Sequence, residues 1–151
     1  MEHGDRLGGF YLFNVVPGPD RAALEALLAR STHAQGDVIF HEGDEAQAMY
    51  AVEDGAVEIV KESGHTVVAT LTKGDAFGEL AFFDGRPRSA AARARQRTVV
   101  LSLPYAGLRE FLAARPPLAL AFFRNAATAM VGRLRQTTSD LSWLNAYVWG
   151  G

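Results

Sequence analysis

The sequence predicts a mainly β protein, an antiparallel β-roll (jelly roll) with an N-terminal helix, a short helix and a long C-terminal helix. Three observations carry this expectation. Between Gly36 and Leu103 the chain breaks into short β-branched runs separated by glycine-bearing turns. On either side of that region the apolar spacing changes to a helical one. After Pro116-Pro117 the chain runs to about Val148 without a proline, and its apolar residues recur in heptads.

Taken in order, residues 1–18 mix glycines with an apolar patch and read as a loose lead-in. Asp20 can cap a helix to about Arg30, because Ala23, Leu24, Leu27 and Leu28 form one stripe; the N-terminal helical region is bounded at about 19–35. Strands are expected at Val38–His41, Met49–Glu53, Val57–Lys61, Thr66–Leu71 and Thr98–Leu103, with turn chemistry at "EDG" (53–55) and "ESG" (62–64). In "SAAARARQ", Ala90, Ala92 and Ala94 alternate with Ala91, Arg93 and Arg95, as on a half-solvated strand. A short helix follows over 104–115, with Leu108, Phe111 and Leu112 on its apolar side, and a long helix over 117–148. Residues 1–151 thus read as one domain, with the β-roll at 36–103 and a candidate site at 77–90.

With Leu120 at heptad position a, the a and d sites of the long helix are Leu120, Phe123, Ala127, Met130, Leu134, Thr137, Leu141, Leu144 and Val148. Only Thr137 is not apolar. A helix of about 30 residues spans roughly 45 Å, more than a domain this size needs. It either pairs with its own copy through this seam, giving a homodimer, or lies along its own sheet.

Composition narrows the function classes. At 48% hydrophobic and 21% charged the chain reads as soluble and globular. No membrane span or signal peptide is visible. The chain has no cysteine, which excludes disulfides, thiolate metal sites and a cysteine nucleophile, and a cytoplasmic location is expected. Residues 1–85 carry 5 Lys/Arg against 15 Asp/Glu, whereas residues 86–151 carry 10 Arg against 2 acids. Either the second half meets an acidic or phosphate-bearing partner, or the halves neutralise one another within one fold. Direct DNA binding is not expected, since neither a basic domain nor a reading helix is present.

The stretch "FGELAFFDGRPRSAAARAR" (77–95) holds the candidate chemistry. Arg88 offers a planar fork of donors that suits phosphate oxygens. Ser89 adds a hydroxyl, the backbone near Ser89 and Ala90 can complete an anion nest, and small neighbours permit close approach. Glu79, beside Gly78, is an acceptor and suits a sugar hydroxyl. It stands among Phe77, Leu80, Phe82 and Phe83, where a buried carboxylate needs a partner. The residues alone leave two readings open, a small-anion receptor or a simple Glu79–Arg88 pair.

The same stretch resembles the phosphate-binding cassette of cyclic nucleotide-binding domains, with the pattern F-G-E-[LI]-A followed by R-[STA]-A. Upstream, "GDVIFHEGDEAQAMYAVEDGAVEIV" has the family's spacing of G-D, G-D, Y-x-V and G-x-V. The likeness covers about residues 12–148 and is greatest to the catabolite activator protein (Crp/Fnr) branch. It implies that Glu79, with Gly78 and Leu80 around it, accepts from a ribose 2′-hydroxyl. Arg88, helped by Ser89 and Ala90, neutralises a cyclic phosphate. Gly43 and Gly55 are implied as turn glycines. "M-x-x-x-L-x-x-T-[ST]" falls on Met130, Leu134, Thr137 and Thr138, which implies that Thr137 and Thr138 reach the base, one residue from each subunit. The ligand implied is cAMP, with cGMP possible. The branch continues into a DNA-reading domain, whereas this chain ends at Gly151. Trp143, Tyr147 and Trp149 near that end read as packing or dimer contacts, with base stacking as the alternative.

Competing functions are weaker. A metal-dependent β-roll enzyme needs a His-x-His pair with further ligands, but His41 stands alone beside Glu42 and His3, His33 and His65 show no useful spacing. No nucleophile triad or Walker loop is present. The expected protein is therefore a cyclic nucleotide sensor with no metal and no catalysis. A separate effector protein is a possible partner. The alternative is a ligand-free scaffold acting in dimerisation or docking, against which intact Glu79, Arg88 and Ser89 count.

Overall fold

The computed structural model describes residues 6–149, with side chains through residue 136. A 3-10 turn at Tyr11–Phe13 precedes helix α1 (Gly18–Glu25) and strand β1 (Ala29–His33). Strands β2 (Val38–Phe40), β3 (Ala48–Asp54), β4 (Ala56–Lys61), β5 (Thr66–Thr72) and β6 (Ala76–Phe77) lead into a one-turn helix, α2 (Leu80–Asp84). Strands β7 (Ala91–Ala94) and β8 (Thr98–Pro104) complete the roll, and helices α3 (Tyr105–Ala113) and α4 (Pro116–Trp149) follow.

Two four-stranded antiparallel sheets, ordered β1-β8-β3-β6 and β2-β7-β4-β5, form the expected β-roll. Between them lies a small core of Val52, Val57, Phe77, Ala92 and Val100. The small-residue face read in "SAAARARQ" is real, since Ala92 and Ala94 are buried while Arg93 reaches Glu58 at 2.8 Å. Ala91 is buried too, so β7 is less one-sided than its alternation implies. Gly55 makes the β3–β4 turn at φ +93, and a Cβ there would stand 2.4 Å from the Arg97 carbonyl oxygen, so only glycine fits.

Three expectations are corrected. The N-terminal helix does not extend over 19–35, because it stops at Glu25 and residues 29–33 become β1. Leu27 leaves the helical stripe to pack against Gly107 of α3, and "ARSTH" pairs with β8 through its backbone (Ala29↔Ser102 to His33↔Thr98). That strand is mostly exposed and shows no apolar alternation, so its signal was hydrogen bonding alone. Asp20 does not cap α1; the cap position is Pro17, and Asp20 accepts from Arg115 Nε at 2.9 Å.

The lead-in is not loose. Leu7, Phe10, Leu12 and Phe13 are each at most 1% exposed and join Leu108, Phe111, Phe122 and Ala126 in the larger core. Burying four such side chains contributes roughly 1.5–3 kcal/mol each before ordering costs, enough to fix this segment under α4. Phe13 stacks on Phe122 at 5.6 Å, and Asn125 Nδ2 donates to the Leu12 carbonyl at 3.1 Å.

Helix α4 therefore has two apolar faces. Phe122 and Ala126 face the domain's own core, while Leu120, Phe123 and Leu134 on the heptad seam are 63%, 47% and 67% exposed. The charge asymmetry is partly neutralised within the fold, by Arg93–Glu58 and Arg115–Asp20. No helix among the described residues is long and apolar enough to cross a membrane.

Candidate functional site

The turn after β6 begins with Gly78 at φ +75, a left-handed conformation that L residues avoid. A Cβ there would stand 2.9 Å from Arg88 Nη1. Glycine thus gives the backbone its shape and lets the arginine lie against it. After Glu79 the five residues Leu80–Asp84 wind into α2, which Gly85 ends in a left-handed C-cap (φ 67, ψ 13).

Arg88 is buried at 7% exposure. Its Nη1 donates to the Gly78 carbonyl at 2.8 Å and its Nη2 to the Ala48 carbonyl at 2.6 Å. The guanidinium lies 4.0 Å from the Phe40 ring centroid, within cation–π range. Tyr105 of α3 also donates its hydroxyl to the Gly78 carbonyl. Two carbonyls and a ring thus fix the plane of the arginine, and its Nε is buried with no hydrogen-bond partner.

Glu79 is 5% exposed, and its Oε2 is buried without a partner. Burial pushes its carboxyl above the usual carboxylate range, with the charges of Arg133 and then Arg88 opposing that rise. The simple Glu79–Arg88 pair does not form; among the described residues no ion pair joins them. Instead the two side chains leave one unpartnered acceptor and one unpartnered donor, which is unusual for buried polar atoms.

Both line one cavity of about 380 Å³, in the size range of small-ligand pockets. Gly78, Leu80, Ser89 and Ala90 line it as well. Six of the eight residues singled out from the sequence are thereby brought together. Leu80 is 55% exposed at the mouth, and the Ser89 carbonyl accepts from Lys61 Nζ. Thr137 and Thr138, with Trp143, Tyr147 and Trp149, lie on α4 outside the described side chains. His41, the histidine weighed as a metal ligand, has its Nδ1 3.1 Å from Glu62 Oε2, which raises its pKa.

A family model described as the cyclic nucleotide-binding domain matches residues 30–115. The chain belongs to that family. A cAMP-dependent protein kinase regulatory subunit from Debaryomyces hansenii is 32% identical over 112 residues, covering 74% of this chain and 25% of the relative. The chain spans about a quarter of the length of this and two further curated relatives that it matches. Among solved structures, the N-terminal domain of a transcriptional regulator from Streptomyces coelicolor A3(2) is 33% identical, with a TM-score of 0.76 over 89% of this chain and 96% of that one. The Thermus thermophilus catabolite activator protein is 30% identical, with a TM-score of 0.72 over 89% of this chain and 62% of that one.

In this cyclic nucleotide-binding domain the cassette helix α2 leans on α4 through rings. Phe82 and Phe83 lie 6.1–6.5 Å from Phe122 and Phe123. Phe82 also meets Tyr105 edge-on at 5.3 Å. Sequence reasoning took these phenylalanines as surroundings for Glu79 and missed that they join two elements. It also missed Phe40, Tyr105 and Arg133. Phe40 sits in the continuous apolar run of Val38, Ile39 and Phe40, and a ring under an arginine has no local signature. Tyr105, which donates to the Gly78 carbonyl, and Arg133, whose charge opposes the rise in the Glu79 pKa, stand 26 and 54 residues past Glu79, a separation that spacing cannot bridge without the fold.

Proposed function

We propose that this domain is a cyclic nucleotide sensor with cAMP as its ligand, a regulatory binding module and not an enzyme. The observation that supports the reading is the pair of buried unpartnered atoms, Glu79 Oε2 and Arg88 Nε, on two residues that line one cavity. A cyclic nucleotide offers a partner to each. Its ribose 2′-hydroxyl donates to Glu79, beside the Gly78 backbone. Its phosphate accepts from Arg88 Nε–H and the Ser89 hydroxyl, with the Ala90 backbone close by. Leu80 covers the sugar. Charge-assisted bonds of this kind are about twice as strong as neutral ones. The names of the relatives, cAMP-dependent kinase regulatory subunits, favour cAMP over cGMP.

In this reading α4 forms a homodimer through Leu120, Phe123 and Leu134, and Thr137 and Thr138 meet the adenine. Ligand in the roll draws α2 inward, and the Phe82/Phe83 contact with Phe122/Phe123 repositions α4. The shift equals the difference in ligand affinity between the two arrangements. A separate cytoplasmic effector protein then reads the helix.

Calorimetry with cAMP, cGMP and cyclic dinucleotides, on protein refolded to remove co-purified ligand, tests the reading. cAMP should bind most tightly. Absence of binding by all of them would leave a ligand-free scaffold in its place.

A further inference from the structure

Tyr105 opens α3 and is 2% exposed. Two contacts join this one side chain to both flanks of Glu79. Its hydroxyl donates to the Gly78 carbonyl, just before Glu79. Its ring meets Phe82 of α2 edge-on, with centroids 5.3 Å apart, just after Glu79. Its own backbone N–H donates to the Gln47 carbonyl at 2.9 Å, next to the Ala48 carbonyl that holds Arg88 Nη2. The start of α3 is thereby fixed to the same short stretch of β-roll backbone that seats the arginine.

The Gly78 carbonyl is shared. Arg88 Nη1 donates to it at 2.8 Å, so two buried donors meet the two lone pairs of one oxygen. A peptide unit is planar. Pinning its oxygen from two directions fixes the plane of the 78–79 peptide, and with it the direction in which Glu79 leaves the backbone. This position needs such an anchor. Gly78 stands at φ +75, and glycine has more backbone freedom than any other residue.

We propose that Tyr105 is a positioning residue of the nucleotide site: its hydroxyl shares the Gly78 carbonyl with Arg88 and so locks the peptide that carries Glu79 and the arginine fork into one arrangement. The inference rests on the proposed roles of Glu79 and Arg88. No other contact of the side chain substitutes for the hydroxyl. Phe82 meets only the ring, and the Arg109 guanidinium lies 5.9 Å from the ring centroid, so a phenylalanine would keep both. Burial pushes the phenol above its ordinary range, with Arg88 opposing that rise, so at neutral pH it is protonated and donates.

The test uses Tyr105→Phe, which removes the hydroxyl and keeps the ring. Hydrogen exchange is followed by NMR in the ligand-free full chain. The Phe82 amide, bonded to the Glu79 carbonyl at 3.1 Å, should exchange about 3- to 10-fold faster, the range expected when one hydrogen bond is lost. The Arg88 Nε–H signal, assigned by its loss in Arg88→Lys, should exchange about threefold faster or more. Amides of β4, β7 and β8 should keep their rates. A merely structural hydroxyl would instead accelerate the core strands together with the cassette. Uniform acceleration, or unchanged rates at Phe82 and Arg88, overturns the proposal. Calorimetry with cAMP adds a second readout. Tyr105→Phe should lower affinity by about 3- to 10-fold. In an Arg88→Lys background the same change should cost less, because residues that share one acceptor are not additive. Equal losses in both backgrounds also overturn it. If the unmodified chain binds no nucleotide, the functional reading falls, and exchange in the ligand-free protein still decides the role of Tyr105.

Discussion

Arg88 reaches back ten residues to the Gly78 carbonyl at 2.8 Å, and it can do so only because residue 78 has no side chain. The left-handed turn at Gly78 and the seat of the arginine are one arrangement.

Gly78→Ala therefore fails twice, by backbone strain and by collision with Nη1. It should destabilise the fold by about 1–3 kcal/mol and turn the guanidinium away from the cavity. Gly85→Ala also meets a positive φ but no neighbouring atom within 4 Å, so its cost should stay near the lower end, about 1 kcal/mol. Denaturant unfolding of both variants checks the difference.

Glu79→Gln separates stability from binding. A carboxyl whose folded pKa is raised binds more protons folded than unfolded, so stability falls as pH rises from the ordinary carboxylate range through the raised value. Glutamine removes that cost. The variant should melt about 2–4 °C higher than the unmodified chain at pH 7, with the gap closing toward pH 4. Its cAMP affinity should fall by about 10- to 100-fold. A scan at both pH values with calorimetry at pH 7 settles the sign of each effect.

The β-roll was legible because β-branched runs and turn residues carry their own signal. The cassette was legible because Gly78, Glu79, Arg88, Ser89 and Ala90 lie within 13 residues. What the sequence hid was long-range. β1 is a strand only because β8 offers it a backbone ladder. The lead-in is core only because α4 returns across it. Arg133 comes to lie over the Tyr11 ring only after both of those events. Arg133 drew no reading from the sequence, and Tyr11 read only as part of an apolar patch.

The exposed seam on α4 should bury itself in a homodimer. Leu120→Lys with Leu134→Lys places two charges where self-pairing needs apolar surface. Light scattering should then report a monomer, while the melting temperature at low concentration stays within a few degrees of the unmodified chain, since both leucines are already more than 60% exposed within one subunit. A dimer unaffected by both lysines would place the interface elsewhere.

Thr137→Ala with Thr138→Ala tests contact between α4 and the base. Loss of one or two hydrogen bonds to adenine should lower the cAMP-to-cGMP affinity ratio by about tenfold, while Arg88 still holds the phosphate. An unchanged ratio would mean that the base does not touch this helix.

The central claim is that Arg88 takes the phosphate of a cyclic nucleotide, and calorimetric titration of cAMP into the unmodified chain, Arg88→Lys and Arg88→Ala tests it most directly. Lysine keeps the charge but loses the fork, so affinity should fall stepwise, reaching a loss of about 100-fold or more in Arg88→Ala. Unweakened binding in a folded Arg88→Ala would contradict the account.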